Sequence, residues 1–150
     1  MKEPAATSDS PLQMVWWSSQ AMVYFIGADS PPVAIKIGVT KWSRAKNRIG
    51  ECQTGNHEPL ELLGVIPFLD GDLPLRQAEV LERKLHEDFR AFQRFPEGSR
   101  GHEWFHARPE LLAHIQANTQ SPEKFGFARN VSKMTGPKRP SVRSAKSVVK

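Results

Sequence analysis

The sequence predicts a small α/β (α+β) domain, with a three-stranded, largely antiparallel sheet flanked by helices. Two apolar, β-branched runs flank a cluster of turn formers, a third such run follows, and a long segment of helical periodicity comes after it.

The first pair of runs is Met22 to Ile26 and Val33 to Val39, divided by Gly27-Ala28-Asp29-Ser30-Pro31-Pro32. That arrangement makes a β-hairpin. With the turn centred near Ser30, Tyr24 falls opposite Lys36, Val23 opposite Ile37 and Phe25 opposite Ile35. Strand alternation then puts Val23, Phe25, Ile35, Ile37 and Val39 on a core face, and Tyr24, Ala34, Lys36 and Gly38 on a face expected to meet solvent. Gly38 has no side chain, which leaves room for a phosphate backbone to approach the sheet. On these strands alone, the plainer reading is that Tyr24 and Lys36 merely face water.

Lys41 to Cys52 reads as a helix with Ala45, Ile49 and Cys52 on its inner side and Arg44 and Arg48 together on a neighbouring face. Between Lys36 and Arg48 stand Lys36, Lys41, Arg44, Lys46 and Arg48 and no acidic residue, so this stretch attracts anions. A guanidinium suits phosphate because its planar fork donates two hydrogen bonds at once. Taken alone, such a cluster is more often a solvated helix face.

Leu60 to Phe68 is the third strand, closed by Leu69-Asp70-Gly71-Asp72. Pro74 opens the longest periodic segment, where Ala78, Leu81, Leu85 and Phe92 recur at helical spacing with Phe89 beside them. Glu82 projects about 60° from Leu85 around the axis, at the border of the apolar stripe, where a carboxylate is half buried. His86 lies one turn beyond on the same face, within reach of a shared ligand, although it reads more readily as a surface residue.

The net charge of +5 is uneven: residues 121–150 hold eight Lys or Arg and one Glu, so the rest of the chain is slightly acidic. The sequence divides into residues 1–13, rich in Pro, Ser, Ala and Thr and expected to be disordered, a domain over 14–118, and a flexible basic tail over 119–150. Within the tail, Lys138, Arg139 and Arg143 would bind phosphates without reading sequence, or simply keep the chain soluble. Cys52 is the single cysteine, which fits a reducing, cytoplasmic compartment. No stretch reads as a signal peptide or membrane span. His102 and His106 lack a cysteine pair and make a poor zinc site, and no Gly-rich phosphate loop points to an organic cofactor.

A phenol, an ammonium, a guanidinium and a carboxylate on one surface make a set able to cleave a phosphodiester. From Met22 to about Ile115 the chain resembles a GIY-YIG endonuclease domain, in the branch whose second motif starts with Lys. Met22-Val23-Tyr24 stands for Gly-Ile-Tyr and Lys36-Ile37-Gly38 for Tyr-Ile-Gly. Arg48-Ile49 with Gln53-Thr54-Gly55-Asn56 resembles the arginine helix and its turn, the helix from Glu82 to Phe89 the glutamate helix, and Glu103-Trp104-Phe105 the closing signature. Met22 and Lys36 depart from the commoner residues of the family.

The resemblance implies a metal-dependent endonuclease acting on duplex or branched DNA, with Tyr24, Lys36, Arg48 and Glu82 as catalytic residues. Glu82 would hold one Mg²⁺ or Mn²⁺, since no second acidic ligand accompanies it on the expected face. Arg48 would neutralise the phosphorus oxygens in the transition state. Tyr24 is the general-base candidate, and Lys36 either lowers its pKa or grips phosphate while Tyr24 orients the water. Gly38, Lys41, Arg44 and the tail cations would contact DNA. The rival expectation is a binding module of the same fold without catalysis.

Overall fold

The computed structural model describes residues 11–54, 56, 58–94 and 103–134. A short helix, α1 (Pro11–Trp17), precedes strands β1 (Ala21–Ala28) and β2 (Ala34–Lys41). A 3₁₀ turn (Trp42–Arg44) leads into α2 (Ala45–Glu51), followed by β3 (Leu60–Phe68) and α3 (Pro74–Asp88). After a further 3₁₀ turn (Arg90–Phe92) come β4 (Trp104–His106) and α4 (Pro109–Asn118), then 3₁₀ turns at Pro122–Phe125 and Val131–Lys133. All neighbouring strands pair antiparallel, in the order β3-β1-β2-β4.

The sheet thus has four strands where three were expected. β4 is only three residues long, too short to display an alternation, and it pairs with Ala34 to Lys36 of β2. The hairpin forms between the expected runs, but its register differs: Tyr24 pairs with Gly38, Phe25 with Ile37 and Ile26 with Lys36. The shift is two residues, so every side chain keeps its face.

The larger difference concerns which faces are covered. On one, Val23, Phe25, Ile35 and Ile37 pack against Leu75, Ala78 and Leu85 of α3 and Leu111 and Ile115 of α4, as the periodicity requires. The other was expected to meet solvent. Instead Met22, Tyr24 and Ile26 are buried beneath Ala45 and Ile49 of α2 together with Phe127, Val131 and Met134. β1 is accordingly buried along its whole length, which its near-continuous apolar sequence fits.

Residues 119–134 therefore belong to the domain and not to a flexible tail. Gln120 and Val65 exchange backbone hydrogen bonds of 2.8 and 3.1 Å, and Leu62 N donates to Arg129 O at 2.8 Å, so this segment occupies the outer edge of β3. Arg129 Nε donates to Glu123 at 2.8 Å, while Phe125 and Phe127 each meet the Trp42 ring edge-on at 5.5 Å. At the other terminus, residues 11–13, read as disordered, begin α1. Residues 1–10 and 135–150, including Lys138, Arg139 and Arg143, lie outside the described residues, as do Gly55 and His102. Among the described residues no helix is long and apolar enough to cross a membrane.

If residues 119–134 complete the core, Phe127→Ala costs about 3–5 kcal/mol, the usual range for emptying a buried aromatic site. Chemical denaturation measures it. A loss of under about 0.5 kcal/mol, typical of exposed positions, contradicts the packing.

Candidate active site

Tyr24 sits midway along the central strand, and its ring lies across Gly38 of β2. A Cβ built on Gly38 would stand 2.5 Å from the phenol carbon and oxygen. The missing side chain therefore makes room for Tyr24 itself, not for an approaching phosphate backbone. Tyr24 is 4% exposed. Burial is the first cause that pushes its phenol far above its ordinary pKa, followed by the Cys52 sulfur; Glu103 and Glu82 add to the rise, and Arg48 opposes it.

The expectation that Lys36 favours the phenolate is thus overturned in this state. The Lys36 ammonium is instead committed to Glu103 Oε2 at 3.3 Å and to Cys52 Sγ at 3.6 Å. Cys52 in turn donates to Arg48 O at 3.5 Å. A thiol that accepts from an ammonium and donates to a carbonyl uses both of its weak hydrogen-bonding roles. The contact ties α2 to β2.

Glu82, on α3, is about a quarter exposed. Burial raises its pKa first; His86 opposes the rise, Glu103 adds to it, Arg83 opposes it and Glu79 adds to it. His86 Nε2 lies 3.0 Å from Ile37 O and 3.5 Å from Glu82 Oε2. A carbonyl only accepts, so Nε2 carries the hydrogen and cannot at the same time ligate a metal. His86 therefore spans from the β2 backbone to Glu82 and steadies the carboxylate, a structural role where a surface position was the readier reading.

Lys36 and Tyr24 share one sheet face, and Arg48, Glu82 and Glu103 lie close enough for their charges to act on the phenol. Arg48 also lines a groove of about 370 Å³ with Lys41, Arg44, Thr40, Glu79 and Trp16. Three cations against one carboxylate make that groove an anion seat next to the cluster. Sequence reasoning missed two members. Glu103 was legible only as part of a closing motif and Cys52 only as an inner helix residue.

The fold defines a small α+β domain with a charged cluster about its central hairpin. The T5orf172 domain family matches residues 21–120, and the chain belongs to that family, which is nuclease-like and of phage type. No curated protein and no solved structure matches the chain significantly.

The chain has one tyrosine, so its absorbance titration reports Tyr24 alone. An ordinary phenol titrates near about pH 10. Because the folded value is raised, the folded state keeps a proton that the unfolded state releases, and stability falls as pH rises above that value. The expected record is no tyrosinate in the native protein near pH 10, then tyrosinate and unfolding together at higher pH. Half-titration near pH 10 with the fold intact contradicts the burial.

Glu82, also raised, has the same sign in the carboxylate range: stability present at low pH is lost as the buried group ionises. Glu82→Gln is therefore expected to raise the thermal midpoint at pH 7, with the gain fading as pH falls toward 4. A lowered midpoint at pH 7 contradicts it.

Proposed function

We propose that this protein is a metal-dependent DNA endonuclease of the GIY-YIG type, hydrolysing phosphodiester bonds with one divalent cation, Mg²⁺ or Mn²⁺. The observation that carries the reading is that Arg48 and Glu82 lie within electrostatic reach of Tyr24, whose sheet face also bears Lys36, and that Arg48 lines a cationic groove. Membership of a nuclease-like family supports it independently.

Glu82 fits the cation. Its carboxylate is partly desolvated and feels the negative charges of Glu103 and Glu79 against the opposing charges of His86 and Arg83, so a positive ion would add to that counter-charge. Hard cations that bind through one or two carboxylates plus substrate suit such a position. A cation held by Glu82 would be shared with the substrate phosphate, as hard cations bound through one or two carboxylates are. When bound, the ion would supply charge to the leaving 3′ oxygen.

The other roles follow from each residue's surroundings. Arg48 is exposed on α2 and faces both groove and cluster, so its guanidinium would take the non-bridging oxygens as charge builds. Tyr24, neutral and buried, would orient the attacking water by hydrogen bonding in preference to acting as a resting phenolate. Lys36 would grip phosphate by exchanging its Glu103 carboxylate for a phosphate oxygen. Lys41 and Arg44 would hold the flanking backbone, with Lys138, Arg139 and Arg143 adding sequence-independent affinity. A cytoplasmic setting suits the single Cys52.

The burial of Tyr24 favours a second reading, a DNA-binding module of this fold without catalysis. Nicking of supercoiled plasmid with added Mg²⁺ separates the two. The endonuclease reading expects nicking by wild type, a loss on the order of 100-fold in Arg48→Ala, and background only in Glu82→Ala. Equal background from wild type and Glu82→Ala leaves the binding module standing.

A further inference from the structure

We propose that Trp16 and the neighbouring cationic groove seat an unpaired nucleotide, so that the substrate class is DNA with single-stranded character beside the cleaved phosphate. The inference rests on the DNA reading of the same site and adds which DNA it takes.

α1 buries none of its residues. Two cation–π contacts nevertheless fix its end: Lys41 Nζ stands 4.3 Å from the Trp16 ring centroid, and Arg76 Cζ stands 4.4 Å from that of Trp17. The cations come from β2 and α3, so Trp16 is held at the rim of the groove and not left to swing. Trp16 is still 49% exposed, with Val15 and Leu12 more so. Leu12, Val15 and Trp16 fall at i, i+3 and i+4, so one helix face presents an apolar and aromatic ridge to water. A contiguous ridge of that kind beside charged residues marks a place where something binds.

The charges choose the occupant. Trp16 lines the groove together with Lys41, Arg44 and Arg48, opposed by Glu79. An aromatic ring beside a cationic track is the pairing that binds single strands, where phosphates meet the cations and a base stacks on the ring. In an intact duplex the base faces are already stacked on one another. Only an unpaired or extruded base can lie against Trp16. A groove of about 370 Å³ has room for a single nucleotide. Arg48 belongs to both the groove and the catalytic cluster, so the stacked nucleotide would neighbour the scissile phosphate.

The test is fluorescence anisotropy with the full chain in EDTA, at fixed salt, on a labelled blunt duplex and on the same duplex carrying a single-stranded overhang. Stacking of one base is worth roughly 1–3 kcal/mol, or on the order of 5- to 150-fold in affinity. Trp16→Ala is expected to lose affinity in that range for the overhang DNA and less than about twofold for the blunt duplex, with Trp16→Phe retaining most of it. Equal losses on both DNAs, no loss on either, or a Trp16→Phe as weak as Trp16→Ala overturns the proposal. So does a change of oligomeric state in Trp16→Ala by sedimentation, which would give the ridge to another copy of the chain. Because the assay needs no cleavage, a wild type that discriminates the overhang but never nicks plasmid defeats only the endonuclease reading. Nicking without discrimination defeats only this one.

Discussion

The stacking of Tyr24 across Gly38 is the contact on which the remaining geometry depends. It couples the hairpin register to the cluster, since only the pairing of these two positions puts a ring over the one β2 residue that has no side chain. It also fixes the depth of the phenol. A ring laid flat on its neighbouring strand is sealed by α2 and by residues 119–134, and that seal, not the nearby cations, decides its protonation. An Arg48 charge lowers the phenol's pKa, yet desolvation outweighs it because the low-dielectric side acts on the whole ionised group.

Around that ring the charged residues are arranged in two ways. Lys36 and Glu103 form an ion pair, each side chain partly exposed, so solvent and incoming phosphate can compete for either partner. Glu82 is compensated less fully, although His86 and Arg83 oppose the rise in its pKa. Its main partner is a histidine whose Nε2 is shared with a backbone carbonyl, and the nearby carboxylates make its ionised state costly. A site that keeps a carboxylate in an unfavourable place gives up stability for what that group can attract, a trade common at functional positions.

The sequence disclosed what depends on short periods and concealed what depends on distant chain. Facing of the hairpin side chains was legible because a register error of two leaves a period of two unchanged. α3 was legible because Ala78 and Leu85 sit two turns apart on one stripe, and Ala45 and Ile49 marked the inner side of α2 for the same reason. Phe125, Phe127, Val131 and Met134 carry no regular period, since short 3₁₀ turns and the left-handed Gly126 break the path between them. A basic composition there looked like a tail. The covering of Tyr24 and the raised phenol pKa were hidden with them. Glu103 was hidden differently: its meaning is a salt bridge to a residue 67 positions earlier, brought close only by the three-residue β4 pairing beside Lys36.

The cluster and the groove therefore differ in kind although Arg48 belongs to both. Tyr24, Gly38, His86 and Glu82 are held by packing and backbone contacts, so their positions are set before any ligand arrives. Trp16, Lys41 and Arg44 lie at the rim, held by a cation–π contact and by side chains with water on one side. Chemistry on a phosphodiester needs the first property, because misplacement of reacting groups by about 1 Å can cost on the order of 100-fold. The proposed nucleotide seat needs the second, because an exposed rim stays open to an incoming strand. Under the proposed reading, Arg48 on its short helix would join the exposed rim to the fixed cluster.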